Sequence, residues 1–374
     1  MLMVTHSCNL NCTYCYEKHK SKRMMSAEMA KEIIMKEFDL VRQSQQFTEL
    51  EIDFMGGEPL VNFRLIKEIV EWLEGMEKAP APYICFATTN ATLLDDEKKA
   101  WFREHRDTIW LGASYDGSSD MQSMNRGSGH IDLEFFKELW PEQGLQMTIS
   151  KQSLPGMAQG IIDMTQKGYH IEASVAQGVA WNAKDAAEYY KQLNLLANWY
   201  CEHPEYPPLN RLSGYMGISS ETERQQYCKS CGSGTAMCTY DTDGRKYGCH
   251  MFTPVVMGDE KTLELNALDW DNPALMSSQT CDTCVLKMVC STCPGFNYHY
   301  RGALGARDMN RCVMALAEAK AACAFQLRWY ALRENALQKD DLQRVKMALN
   351  AYEILEKIPL TGSNQGPYQV SHSV

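Results

Sequence analysis

The sequence predicts an α/β chain: a partial (β/α)6 TIM barrel, then a cysteine-rich domain, then carboxy-terminal helices. Three observations lead there. From Leu2 to about residue 203, short apolar or β-branched runs alternate with amphipathic stretches, the βαβα pattern of a parallel sheet faced by helices. Six such units can be counted, too few for a closed eight-unit barrel and suited to an open one. Beyond a proline-rich break, nine of the 15 cysteines crowd between Cys228 and Cys312.

In chain order, strands are expected at Leu2–Thr5, Leu50–Met55, Tyr83–Thr89, Ile109–Tyr115, Leu145–Ser150 and Ile171–Ala176. Helices are expected to begin near Ser26, Asn62, Asp95, Asp132, Pro155 and Lys184. Ser26, Asn62, Asp95 and Asp132 each carry a side chain able to accept from the unpaired amides of a first turn. In such a barrel, functional groups gather in the loops after the strands. His203–Leu212, with Pro204, Pro207 and Pro208, cannot continue a helix and reads as a boundary. The expected division is a barrel over 1–203, a linker over 204–227, a cysteine-rich domain over 228–315 and helices with a tail over 316–374. In the last segment Leu342, Val345, Leu349, Tyr352 and Leu355 recur at helical spacing and read as a core stripe. The final residues, 361–374, are polar and turn-rich and read as a loose tail.

The chain has 374 residues, 45% of them hydrophobic, enough for a substantial core, and a formal net charge of −10 with no long basic run. That balance disfavours a generic nucleic-acid binder or polybasic membrane binder. No apolar run reaches the roughly 20 residues needed to span a bilayer, and MLMVTHSCNLNC turns polar too soon for a signal peptide. A cytoplasmic chain is expected, in which 15 cysteines are better explained by metal or redox chemistry than by disulfides. Cys85, Cys201 and Cys323 have no partner at ligand spacing and read as small buried hydrophobes, and the 22 methionines as core filling.

Cys8, Cys12 and Cys15 follow the first strand on one loop. Three thiolates leave one iron of a 4Fe-4S cluster without a protein ligand, ready for an exogenous one. A zinc site completed by His6 or His19 is the competing reading. The run CNLNCTYCY at 8–16, with Tyr16 after the third cysteine, resembles the signature of radical S-adenosylmethionine (radical SAM) enzymes. Gly56-Gly57-Glu58-Pro59, after the second strand, resembles that family's GGEP loop, whose backbone receives the amino group of S-adenosylmethionine. Thr88-Thr89-Asn90 is similar to its TNG segment, with Ala91 in place of the glycine, and Ser114-Tyr115-Asp116-Gly117 resembles its SLDG segment. The resemblance implies that Tyr16, Gly56, Gly57, Glu58, Pro59, Thr89, Asn90, Ser114 and Arg126 surround the cofactor, with Ser114 and Arg126 on its carboxylate. A structural pairing of Arg126, for example with Asp120, is equally open.

The second cysteine block resembles the SPASM extension, which holds two auxiliary 4Fe-4S clusters. Gly244, in Asp243-Gly244, fits a hairpin turn that delivers Cys249 on the returning strand. By resemblance, Cys231, Cys238, Cys249 and Cys293 would hold auxiliary cluster one, and Cys281, Cys284, Cys290 and Cys312 cluster two. The run here ends C-x2-C where the family usually has C-x3-C. Cys228 and Cys238 compete as fourth ligand of cluster one; with neither, that cluster would keep an open iron. Paired zinc sites are the alternative for the block.

What the resemblance implies is an enzyme with S-adenosylmethionine and three 4Fe-4S clusters, one binding the cofactor and two auxiliary. It would use a 5'-deoxyadenosyl radical to modify a ribosomally synthesised precursor peptide by crosslinking or backbone excision. A reductant such as a flavodoxin or ferredoxin follows from that chemistry, and with Cys8 so near the start, either a separate leader-recognition protein or recognition by the SPASM and carboxy-terminal region is expected. An anaerobic sulfatase-maturating enzyme is the alternative; its general-base Asp after the Gly-x4-Cys cysteine is replaced here by His250, a candidate base near neutral pH. An iron-sulfur electron carrier or a zinc scaffold is the non-enzymatic alternative. Asn297-Tyr298-His299-Tyr300 reads as a packed aromatic strand or as part of a substrate channel.

Overall fold

The computed structural model describes residues 1–214, 216, 218, 231–265, 268, 272–276, 278–290, 292–360 and 368. Two compact units form, Met1–Gln146 with Gly232–Asp271, and Met147–Cys231 with Asn272–Val374. Eight strands are present among the described residues: β1 (Leu2–Thr5), β2 (Leu50–Gly56), β3 (Tyr83–Thr89), β4 (Ile109–Ala113), β5 (Leu145–Ile149), β6 (Ile171–Val175), β7 (Thr239–Tyr240) and β8 (Lys246–Tyr247).

The first unit carries a six-stranded sheet in the order β4-β3-β2-β1-β7-β8. Neighbours from β4 to β7 run parallel, with Leu2 opposite both Phe54 and Tyr240, and Cys85 opposite Ile109. Only β8 is antiparallel, closing the hairpin with β7. Every residue of β1 is buried, as expected of a central parallel strand. The helix α2 (Phe63–Glu74) covers the sheet with Leu65, Ile66, Ile69, Val70 and Leu73, each buried side chain contributing about 1.5–3 kcal/mol relative to exposure. Strand β4 stops at Ala113 rather than Tyr115 because Ser114 bridges Gln146 and the Tyr115 amide donates to the Gln146 carbonyl.

Caps form at α1 (Ala27–Gln43), α3 (Asp96–Glu104) and α5 (Leu133–Leu139), where Ser26, Asp95 and Asp132 accept from the third residue on. Asn62 corrects the expectation: its side chain caps nothing and donates from Nδ2 to the Val4 and Met25 carbonyls, tying α2 to β1. The sequence reading also missed α4 (Ser119–Arg126), which Ser118 caps and Gly127 ends at φ 77°. Gly244, at φ 80°, makes the expected hairpin turn, its amide donating to the Asp241 carbonyl.

The second unit pairs β5 with β6 and packs α6 (Met157–Gln166), α7 (Ala183–Glu202) and the helix Cys312–Ala331. The alanine-rich faces of that last helix let backbones approach, and its buried Lys320 donates to the Leu355 and Ile358 carbonyls at the end of the helix Lys339–Leu355. α7 ends at Glu202, before Pro204, and the short helix α8 (Asn210–Ser213) starts within the stretch read as a boundary.

Two expectations are corrected here. The stripe on Lys339–Leu355 is turned: Leu342 and Leu349 are exposed, and Ala348, Ala351 and Leu355 face the core. Asn297–Tyr300 lies in a helix, Pro294–Arg301, started by Pro294 in the first turn and stopped by Gly302 at φ 75°, not in a strand. Of the tail read at 361–374 only Tyr368 is among the described residues; it is buried, and its carbonyl accepts from the Val285 amide. Cys85 and Cys323 are fully buried thiols pushed up to about 12 by burial, whereas Cys201 is only half-buried. No helix among the described residues is long and apolar enough to cross a membrane.

Candidate functional site

In the first unit the loop after β1 carries Cys8, Cys12 and Cys15, all half-buried and none in a disulfide. Short local bonds shape it: Cys8 Sγ accepts from the Leu10 amide at 3.4 Å, and the Cys15 amide donates to the Cys12 carbonyl at 3.1 Å. Lys20 Nζ donates to the Leu10 carbonyl. Burial raises the Cys8 and Cys12 thiols, while Lys20 and Arg126 favour their thiolates.

The glycines after β2 lie against this loop. The Gly57 amide donates to the Thr5 carbonyl at 3.1 Å and the Glu58 amide to the Ser7 carbonyl at 2.9 Å. A Cβ on Gly56 would stand 2.5 Å from the Thr5 oxygen, and one on Gly57 2.4 Å from the Ser7 oxygen and 2.9 Å from Cys8 Cβ. Only glycine fits at either position.

Glu58 is buried and its carboxylate joins two loops. It accepts from the Thr89 hydroxyl at 2.6 Å, the Asn90 amide at 2.8 Å and the Leu60 amide at 3.2 Å. Burial raises its pKa, and those bonds oppose the rise. Pro59 opens the single turn Pro59–Asn62. Asn90 Nδ2 donates to Asn9 Oδ1 at 3.0 Å, so the loop after β3 also grips the cysteine loop. Ala91, at φ 62°, is the one non-glycine with positive φ among the described residues.

Asp116, fully buried after β4, is the other junction. Its carboxylate accepts from the Tyr14 hydroxyl at 2.7 Å, Asn125 Nδ2 at 2.9 Å, and Arg126 Nε and Nη2 at 3.2 and 3.1 Å. Arg126 therefore pairs with Asp116, not Asp120, and its guanidinium lies 5.4 Å from the Tyr14 ring centroid. The Thr13 amide donates to the Asn125 carbonyl at 2.8 Å. Helix α4, absent from the sequence reading, is thus what delivers Asn125 and Arg126; the pair Ser118 and Gly127, a cap and a C′ glycine, was the signal for it. Ser114 is half-buried, and its carbonyl accepts from Gln122 Nε2 at 3.3 Å.

His6 is spent elsewhere, its Nε2 2.6 Å from Asp241 Oδ1 and its Nδ1 3.3 Å from Ser21 Oγ, which removes it as a zinc ligand beside Cys8. Tyr16 meets His250 with ring centroids 5.8 Å apart. His250 follows Cys249, itself buried and accepting from the Met251 amide. The buried His250 Nδ1 has no hydrogen-bond partner, and burial, with the positive amino terminus, pushes the imidazole down to about 4, so it is neutral at pH 7.

In the second unit, Cys281, Cys284, Cys290, Cys293 and Cys312 line one cavity of about 40 Å³, open at its mouth. The Cys284 amide donates to the Cys281 carbonyl, Cys293 caps the helix Pro294–Arg301, and Cys312 opens the helix Cys312–Ala331. Burial raises the Cys312 thiol most, and Cys290, Cys284 and Cys281 each add to the rise, as four thiols facing one space would. Burial likewise pushes Cys290 up to about 11. Cys231 is exposed and lies near enough to Cys293 to raise its pKa after burial has done so. Cys238 and Cys249 belong to the first unit, and Cys228 lies outside the described residues. Among the described residues, no three His, Cys, Asp or Glu side chains close on one point as a single metal ion requires.

Both thiol groups suit iron-sulfur clusters in donor type: three on one loop against which two glycines pack, and four in a cavity that Arg307 and Arg311 also line.

A family model described as a 4Fe-4S single cluster domain matches residues 1–129. Among curated relatives, an uncharacterized protein of Methanocaldococcus jannaschii is 36% identical over 118 residues, 31% of this chain and 38% of that one. The radical SAM cyclopropyl synthase TigE of Paramaledivibacter caminithermalis is 22% identical over 322 residues, 78% of this chain and 66% of TigE. The chain thus spans less than two thirds of each of these relatives. Among solved structures, anSMEcpe with bound AdoMet and Kp18Cys peptide aligns with TM-score 0.62 at 15% identity, over 94% of this chain and 99% of that one. SuiB of Streptococcus suis bound to the precursor peptide SuiA aligns with TM-score 0.55 at 14% identity, over 83% and 74%. At these identities the structural likeness is one of fold.

Proposed function

From the premise that this is a radical SAM chain with a SPASM-like extension, we propose that it matures a ribosomally synthesised precursor peptide, forming a crosslink or excising backbone after hydrogen abstraction by a 5'-deoxyadenosyl radical. The observation that carries this reading is the mutual grip of three loops. Gly57 lies against Cys8, Glu58 holds Thr89 and Asn90, and Asn90 reaches Asn9. S-adenosylmethionine on a 4Fe-4S cluster would supply the radical. Cys8, Cys12 and Cys15 would hold that cluster. Tyr16, Gly56, Gly57, Glu58, Pro59, Thr89, Asn90, Ser114 and Arg126 would form the wall around the cofactor, with Arg126 held in place by Asp116.

The partial (β/α)6 barrel, the division at 203, 227 and 315, and the SPASM domain belong to the same proposal. So do auxiliary cluster one on Cys231, Cys238, Cys249 and Cys293, and auxiliary cluster two on Cys281, Cys284, Cys290 and Cys312. The shared cavity of the last four supports cluster two. SuiB with its precursor peptide supports a peptide substrate, while a flavodoxin or ferredoxin would be the electron source and a separate protein would recognise the leader. Formylglycine formation is the second reading; the anSMEcpe structure, with AdoMet and the Kp18Cys peptide bound, is compatible with it. His250 would be its base; its Nδ1 has no hydrogen-bond partner, but burial pushes the ring down to about 4, which makes it a weak base at neutral pH and counts against this reading.

Anaerobic reconstitution tests the proposal. About twelve irons per chain, with reductive release of 5'-deoxyadenosine that Cys12→Ala abolishes, is the expected result. About four irons with bound zinc would remove the auxiliary clusters. No 5'-deoxyadenosine would leave a carrier or scaffold, and formylglycine from Cys or Ser peptides would select the second reading.

A further inference from the structure

The cysteine cavity of the second unit is not electrically neutral. Arg307 and Arg311 line it together with Cys281, Cys284, Cys290 and Cys312. Two other cations near it are already matched: Lys287 is bonded to Asp282 at 2.7 Å, and Arg301 to Asp308 at 2.7 Å. Arg311 is different. Its Nη1 donates to a neutral acceptor, the Val175 carbonyl, at 3.1 Å, and no carboxylate among the described residues pairs with it. Its position is fixed by sequence as well, since it ends the turn Met309–Arg311 and Cys312 follows directly. A guanidinium stays ionised at any working pH.

We infer that Arg311, assisted by Arg307, sets the reduction potential of the iron-sulfur cluster held by Cys281, Cys284, Cys290 and Cys312, raising it so that this cluster is the readier electron acceptor. The inference rests on the proposed reading of the cavity as a cluster site. Reduction adds one electron and no proton, so the cluster with its four thiolates gains a negative charge. Fixed positive charge in a poorly solvated wall stabilises that gain. Arg311 is a positioning and tuning residue, distinct from the ligands.

The test is an anaerobic redox titration of the reconstituted full chain, followed by electron paramagnetic resonance, with the relevant signal identified as the component lost in Cys312→Ala. Arg311→Gln is expected to keep its iron and shift that component to a more negative potential. Arg307→Gln should shift it the same way, the double variant further, and Arg311→Lys should restore most of the wild-type value. Arg301→Gln, which leaves the Asp308 carboxylate unmatched, should also move it negative. A purely structural role for Arg311 would lower iron content or thermal stability without moving the potential. Full iron and an unchanged potential in Arg311→Gln would overturn the inference. Absence of any component assignable to Cys312 would instead remove the cluster reading beneath it.

Discussion

The Tyr14 hydroxyl donates to Asp116 Oδ2 at 2.7 Å, and through that bond a residue between two of the cysteines is held by a carboxylate 102 positions later. The same carboxylate neutralises Arg126, which is 8% exposed. Removing it strands a buried cation, a loss of about 3–5 kcal/mol, whereas removing only the phenol breaks one bond to a charged acceptor, about 1.5–3 kcal/mol. Asp116→Asn is therefore expected to destabilise the chain more than Tyr14→Phe in urea denaturation. Equal midpoints for the two variants would show that Asp116 does not organise this cluster.

Gly57 bears on cluster assembly rather than on charge. A methyl group there would meet the Ser7 carbonyl oxygen at 2.4 Å, and backbone cannot rotate away as a side chain can. Gly57→Ala should push the loop after β2 off the cysteine loop, at about 1–3 kcal/mol, and lower the iron retained if the proposed cluster sits on Cys8, Cys12 and Cys15. Iron per chain, compared with Gly75→Ala, at φ −72° and with the Glu71 carbonyl oxygen 3.3 Å from the added methyl, reads the difference. Equal iron in the two variants would count against close packing of the loops.

Ala91 gives a prediction of opposite sign. An L-residue in the left-handed region loses roughly 1–2 kcal/mol, partly offset in a glycine variant by about 0.5–1 kcal/mol of extra chain entropy. Ala91→Gly is expected to raise stability by about 0.5–1 kcal/mol, and Ala91→Val to lower it. A destabilised Ala91→Gly in thermal melts would mean that the buried methyl contributes more than the strain costs.

Much of this architecture was legible because local signals and long-range roles coincide. The first six strands sit where apolar runs end in turn residues, and the glycines at 56 and 57 are needed where the motif has them. What escaped was decided by partners far along the chain. Asn62 looks like a cap, but the Val4 carbonyl claims its amide. Leu342 and Leu349 continue a stripe, but small Ala348 and Ala351 allow the closer approach and take the buried face. Arg126 has an acidic neighbour six residues back in Asp120, and its actual partner, Asp116, becomes adjacent only once α4 forms.

Asp53 makes stability depend on pH. On β2 its carboxyl group is buried and pushed up to about 7 by burial, with Glu51 adding to the rise and the amino terminus opposing it. In the unfolded chain the same group titrates near 3.9. Below about pH 4 both states hold the proton and the group is neutral in stability. Between about 4 and 7 the unfolded state releases it while the folded state keeps it, so the unfolded state binds fewer protons and stability falls as pH rises. The slope is up to about 1.4 kcal/mol per pH unit, accumulating to about 4 kcal/mol by pH 7 and flat above. Asp53→Asn keeps the shape without the charge and should be close to wild type at pH 4, more stable at pH 8, and without that slope between them. Urea denaturation of both proteins at pH 4, 5.5, 7 and 8 would reveal it, and parallel curves across the series would rule out Asp53 as the source.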